Sequence, residues 1–341
     1  MGHNGKHILL IGGTGSMGTY LTPLLLERGF LVDVVALNAP EMEHPNLRGI
    51  KADAKDMETL KRLLANRYDG IIDFLDYPSD YRMRYRLFLE NTKHYIYLSS
   101  YRVYAGTVPL TNENSPRFVD LPGYDELYNP DDYNIYKARN EDLLRASGFD
   151  NWTIVRPSIV FSKFSLPLVS LGAYAIWNRA QEGKSTLIPD CAVATPCSCT
   201  WSGNIAKMFA GILFNPAAFR EAFTFTTDEN LPWQAWVEFY RERIGLQTWT
   251  VDTETFFNLY WNHSRWAVNQ VKYDRLLNRS MDNSKIRKVA GLAKSDLLPL
   301  QEALGSELAK LSPSYRFPGG EAVNAAIDRY LADGGRILRK L

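Results

Sequence analysis

His7-Ile8-Leu9-Leu10-Ile11-Gly12-Gly13-Thr14-Gly15-Ser16-Met17-Gly18 is the stretch whose reading decides the fold. The apolar run reads as a buried strand, and the glycines turn it into a helix over 16–28 that Gly29 closes. The turn satisfies G-x-G-x-x-G through Gly13, Gly15 and Gly18, and G-x-x-G-x-x-G through Gly12, Gly15 and Gly18. Glycine is needed there because a tight turn demands φ values that other residues resist. A Cβ would also hold a phosphate away from the backbone. The helix N-terminus then presents free N–H groups and a partial positive charge. Gly12, Gly13, Thr14, Gly15, Ser16, Met17 and Gly18 are therefore candidate contacts of a dinucleotide pyrophosphate. The alternative is a glycine-rich turn that holds no ligand. Pro23 deletes one bond inside the helix and predicts a kink.

Outward from this turn, strands are expected at 31–37, 49–52, 70–75, 94–98 and 152–156, with helices at 56–67 and 131–146. Strand and helix alternate as in βαβ units, so the expected class is α/β, a Rossmann-type doubly wound parallel sheet. Pro157 stops the sixth strand, and beyond it the pattern changes. A helix near 171–180 is followed by loops bearing Pro and Cys. Trp233, Trp236, Phe239 and Tyr240 then recur at helical spacing, more in the manner of a core than of a ligand box. The expected organisation is a Rossmann domain over 1–160 and a smaller, mostly helical substrate domain over 161–341. A return to the first domain is expected near 200–228.

Composition excludes several classes. Apolar residues make up 45% and charged residues 23%, as in ordinary globular enzymes. Lys and Arg number 39 against 38 Asp and Glu, so no basic footprint for nucleic acid or an anionic membrane is expected. No apolar run approaches the ~20 residues of a membrane helix, and the N-terminus lacks signal-peptide form. Three cysteines, at 191, 197 and 199, make no disulfide framework, and no His or Cys pair follows to complete a metal site. The expectation is a cytoplasmic protein with no metal.

The second strand ends Ala36-Leu37-Asn38, where an acid would hold a ribose 2′-hydroxyl and an Arg would accept a 2′-phosphate. Asn38 can hydrogen-bond either, so NAD is expected and NADP is not excluded. Asp33 lies mid-strand and Glu41 falls late. Asp53, after the third strand, is placed for the adenine amino group or for solvent.

Four short patterns follow in order: Ser99-Ser100-Tyr101-Arg102-Val103-Tyr104-Ala105-Gly106, Thr111-Asn112-Glu113-Asn114-Ser115-Pro116, Tyr133-Asn134-Ile135-Tyr136-Lys137, and Arg156-Pro157-Ser158-Ile159-Val160-Phe161. Together they resemble the extended short-chain dehydrogenases/reductases of the NAD-dependent epimerase/dehydratase kind, closely from residue 7 to about 161 and loosely thereafter. The i, i+4 spacing lets Lys137 hold its ammonium near the Tyr133 phenol. A free phenol titrates near pH 10, and a general base must act near neutrality. A buried ammonium and a positive nicotinamide ring favour the phenolate. The resemblance implies that Ser100 donates to the substrate oxygen, Tyr133 is the base, and Lys137 also holds the nicotinamide ribose. Cofactor contacts at Phe74, Leu75, Pro157 and Ser158 are implied as well. Taken alone, Tyr133 and Lys137 would be surface residues of a helix. Tyr136 is a rival base that faces elsewhere, and Tyr104 reads as structural.

The chain departs from the family where dehydratases carry Asp-Glu, since Tyr101-Arg102 stands there. Ile159 replaces a common Asn, and Asn204 a common Asp. A branch of relatives keeps the Rossmann domain as binding or regulatory proteins, some on RNA, and often loses the Tyr or Lys; the intact trio and the near-zero charge argue against it. The expected function is an NAD(P)-dependent redox enzyme on a secondary alcohol or ketone, as a sugar or nucleotide-sugar epimerase. Alternatives are a ketoreductase or dehydrogenase, and a non-catalytic dinucleotide-binding regulatory protein. Its partner is then a small molecule, with no nucleic acid or membrane, and the family implies a homodimer. Pocket segments are expected at 161–168 and 188–201.

Overall fold

The computed structural model describes residues 5–128, 132–261 and 264–341. Asp131, expected to begin a helix, lies outside them. Seven strands form one parallel sheet: β1 (His7–Ile11), β2 (Leu31–Ala36), β3 (Leu47–Lys51), β4 (Tyr68–Asp73), β5 (Thr92–Leu98), β6 (Trp152–Pro157) and β7 (Glu221–Phe225). Their order is β7-β6-β5-β4-β1-β2-β3, which reverses beside β1. That reversal opens a crevice at the carboxyl ends of the strands, where ligands of such sheets bind. β1 and β4 to β6 are largely buried on both faces, as a sheet covered by helices on both sides requires. Pro157 ends β6 without stopping it short, paired with Phe225 at the last position of the ladder.

On one face pack α1 (Ser16–Glu27) and α4 (Ser202–Ile212), whose Leu21, Leu25, Ile205 and Phe209 bury completely. Pro23 lies inside α1, which nevertheless runs as one helix. On the other face lie α2 (Met57–Leu64) and α3 (Tyr133–Arg145). Glu141 of α3 is fully buried and takes a bidentate pair from Arg156 of β6, Nε at 2.8 Å and Nη2 at 2.6 Å. The Ser99 hydroxyl donates to the same carboxylate at 2.5 Å. This pair pins α3 to the sheet behind the strand end. Glu141→Gln should lower unfolding free energy by roughly 3–5 kcal/mol in urea titration, because it leaves a buried guanidinium without its counter-charge. A loss under ~1 kcal/mol would show the pair to be dispensable.

Residues after β6 are less purely helical than their sequence suggests. Besides β7, they form two three-stranded sheets, one from Ile159–Phe161, Pro196–Trp201 and Asn230–Pro232, the other from Ser185–Pro189, Gln247–Val251 and Arg339–Lys340. The expected aromatic helix is α5 (Trp233–Ile244), with Trp233, Trp236, Phe239 and Tyr240 all in the core. A buried carboxylate, Glu307, joins the halves. It accepts from the Tyr20 hydroxyl of α1 at 2.5 Å, the Trp201 indole at 2.8 Å and the Lys163 amide at 2.6 Å. Asn204 is spent on the Leu298 backbone. Among the described residues, no helix is long and apolar enough to cross a membrane.

Candidate active site

The glycine turn leaves β1 with Gly12 at φ +75° and its N–H bonded to Val35. A Cβ on Gly18 would stand 2.1 Å from the Gly13 carbonyl oxygen, so the turn and the helix close on each other only through glycine. A Cβ on Gly15 would meet nothing nearer than the Gly12 oxygen at 3.7 Å, which leaves that side open to a ligand. Two clefts meet at Thr14 and Asn38. One, of about 340 Å³, is lined by Gly13, Thr19, Glu41 and Phe164; the other, of about 440 Å³, by Gly12, Asp53, Lys55 and Leu75. A glycine cradle at a helix N-terminus with a cleft on either side fits a dinucleotide.

The expected cofactor residues divide. Gly12, Gly13, Thr14, Asn38, Asp53 and Leu75 line these clefts. Gly15, Ser16, Met17 and Gly18 build the turn and first helical turn, with the Ser16 hydroxyl taken by Ser162 at 3.0 Å. Phe74 packs edge-on against Phe209. Pro157 and Ser158 line neither cleft, and the Ser158 hydroxyl bonds Thr200 at 2.7 Å. Asp53 accepts from the Lys55 amide at 2.8 Å. Asp33 is fully engaged by Arg48, Tyr68 and His7, which settles its role as structural.

Ser100, Tyr133 and Lys137 gather at the carboxyl end of β5. Lys137 is buried and donates to the Leu98 carbonyl at 2.7 Å, two residues before Ser100. Its Nζ lies 5.5 Å from the Tyr133 ring centre. Burial opposes its charge, but the oxygens of Tyr97 and Tyr133, and Asp76 at 2.5 Å, hold its pKa above the usual lysine value. The Ser100 oxygen caps the following turn by accepting from the Arg102 amide at 3.2 Å, which leaves its proton free to donate. Tyr136 turns its buried ring edge-on to Tyr133, and burial pushes its pKa up. Tyr104 is fully buried, bonded to Thr224 at 2.7 Å.

Sequence reading missed the acids that flank Phe74-Leu75. Asp73 is fully buried and accepts from the Leu75 amide and the Tyr77 and Tyr95 hydroxyls at 3.1–3.2 Å. Burial pushes its pKa up to about 7, against the pull of these donors and of Lys137. An aspartate with no such environment titrates near pH 4. Between roughly pH 4 and 7 the folded state therefore binds the extra proton, and this residue's contribution to stability falls as pH rises, by up to about 4 kcal/mol. Asp73→Asn should flatten the fall; parallel wild-type and variant curves in denaturant titrations across that range would refute it. Asp76, half exposed, was equally legible as an acid at a strand end, but nothing in its neighbours announces the Lys137 pairing.

Residues 12–166 match the NAD(P)H-binding family model. Among curated proteins, the chain is 23% identical over 239 residues to an Arabidopsis thaliana chloroplast stem-loop binding protein, covering 66% of this chain and 59% of that protein. Among solved structures, it superposes on an epimerase from Methanothermobacter thermautotrophicus with TM-score 0.67 at 15% identity, covering 90% of this chain and 93% of that one. A UDP-glucuronic acid 4-epimerase from Bacillus cereus in complex with NAD gives TM-score 0.64 at 15% identity, over 89% and 97%. Residues 12–166 thus carry an NAD(P)H-binding domain, and the chain has the fold of these epimerase structures.

Proposed function

We propose that this protein is an NAD-dependent redox enzyme that epimerises a secondary alcohol of a sugar or nucleotide-sugar. The observation that supports the reading is that Lys137 is anchored on the Leu98 carbonyl, two residues before Ser100, and lies close to the Tyr133 ring. Bound NAD would accept and later return a hydride. Tyr133 takes the proton of the substrate hydroxyl, Ser100 holds the same oxygen by donation, and Lys137 steadies the phenolate. Gly12 to Gly18 would hold the pyrophosphate, and Asn38 and Asp53 the adenosine. An epimerase needs the oxidised sugar to present its other face before the hydride returns, so the proton taken by Tyr133 is given back to the substrate. Epimerase structures of the same fold, one in complex with NAD, support this reading.

Two measurements test it. The nucleotide released on denaturing fresh protein should be stoichiometric NAD by mass spectrometry. Product should form without net change in reduced-nicotinamide absorbance; a net change would identify a dehydrogenase or ketoreductase that exchanges its cofactor. A second reading, stem-loop RNA binding without turnover, is favoured by the plastid relative alone. Salt-sensitive gel shifts with hairpin RNA at sub-micromolar protein would support it, whereas the near-zero net charge speaks against it.

A further inference from the structure

Three guanidinium groups converge where Ser100 and Tyr133 lie. Arg275 and Arg279 both donate to Asp274, Arg275 reaches the Tyr101 hydroxyl at 3.0 Å, and Arg279 the Tyr104 carbonyl at 2.7 Å. Arg102 differs. It is 5% exposed, and its Nε and Nη2 are sealed from solvent with no hydrogen-bond partner. The nearest carboxylate oxygens, on Asp274 and Asp132, stand 3.7 and 3.8 Å away. Both acids are spent elsewhere, Asp274 on the other two arginines and Tyr101, Asp132 on the Asn134 amide and Asn269. Buried polar groups are almost always hydrogen-bonded, so a guanidinium whose Nε and Nη2 both make no hydrogen bond needs an explanation.

We propose that Arg102 docks an anionic substituent of the substrate, a carboxylate or phosphoryl group close to the carbon whose hydroxyl reacts. The inference rests on the redox reading and names its substrate class. The guanidinium carbon lies 4.8 Å from the Tyr133 ring centre, and the Arg102 amide is already on the Ser100 oxygen. An anion held there lies against the Tyr133 ring, on the residue proposed to move the proton. The planar fork suits two oxygens of a carboxylate or phosphate. Engagement requires the fork to turn toward the ligand on its long stem, and at 3.7–3.8 Å it breaks no hydrogen bond to either aspartate when it does.

The test is calorimetric titration of the full-length protein with malonate and with inorganic phosphate, with and without NAD, in wild type, Arg102→Gln and Arg102→Lys. At least one anion should bind wild type and bind Arg102→Gln at least 10-fold more weakly, with partial recovery in Arg102→Lys. A malonate response identifies a carboxylate, and a phosphate response a phosphoryl group. If neither anion binds wild type, or both bind Arg102→Gln equally well, Arg102 is only a counter-ion for the aspartates and the proposal falls. If Arg102→Gln does not fold, Arg102→Lys makes the same comparison, because it keeps the charge and loses the fork. Failure of NAD to bind would overturn the redox reading instead, and the titration without cofactor would still decide the role of Arg102.

Discussion

Tyr133→Phe should lower turnover by about 10²–10⁴-fold, the range that a positioned general base supplies, while dinucleotide affinity stays within about threefold of wild type. The split follows from position. The Tyr133 ring centre lies 5.5 Å from Lys137 Nζ and 4.8 Å from the Arg102 guanidinium carbon, whereas the glycine turn that would carry the phosphates lies between β1 and α1. Removing one oxygen leaves the ring and its packing against Tyr136 in place. Steady-state rates beside a cofactor titration make the comparison. Unchanged turnover with normal cofactor binding would show that the convergence at the strand end is architectural and that another group moves the proton.

Gly18→Ala should have the second large effect, on binding rather than chemistry. Its new methyl would press on the Gly13 carbonyl oxygen and carbon, at 2.1 and 2.5 Å, both of them backbone atoms that cannot step aside alone. The phosphate turn must therefore shift against the helix. Overpacking of this kind costs about 1–3 kcal/mol in stability and occasionally more. Because a shifted turn no longer aims its N–H groups, dinucleotide affinity should fall at least about 100-fold. Thermal melts with and without NAD would read both quantities. A variant that still gains wild-type stabilisation from NAD would place the pyrophosphate somewhere other than this turn.

The sheet was legible because its signals are local. Each strand is a short apolar run, and the glycine turn carries its own steric reason. The nearness of Lys137 to the Tyr133 ring was legible because i and i+4 share a helical face. What escaped depends on contacts between distant parts of the chain. Asp274 meets Tyr101 across 173 positions, and Asn269 meets Asp132 across 137, so no spacing rule reveals that Arg102 will be enclosed by them. Asp73 and Asp76 stand in the sequence as two ordinary acids. Only the packing of Tyr77, Tyr95 and Lys137 around them makes one a buried titrating group and the other an ion-pair partner. Strand β7 falls inside the range 200–228 where a return to the first domain was expected, although its apolar alternation is too short to announce the strand itself.

Glu307 carries a consequence for anyone who cuts this chain. A fragment ending near Phe161 would retain the whole glycine motif and the Ser–Tyr–Lys trio, and by motif alone would pass for a portable cofactor module. It would lack the carboxylate that receives the Tyr20 hydroxyl on the cofactor helix, and it would lack β7, whose Phe223 and Phe225 are buried beside β6. The edge of β6 would be bare and available to another copy's strand. The fragment should therefore be recovered as aggregate, because α1 and the sheet edge are held in place by residues from the far half of the polypeptide.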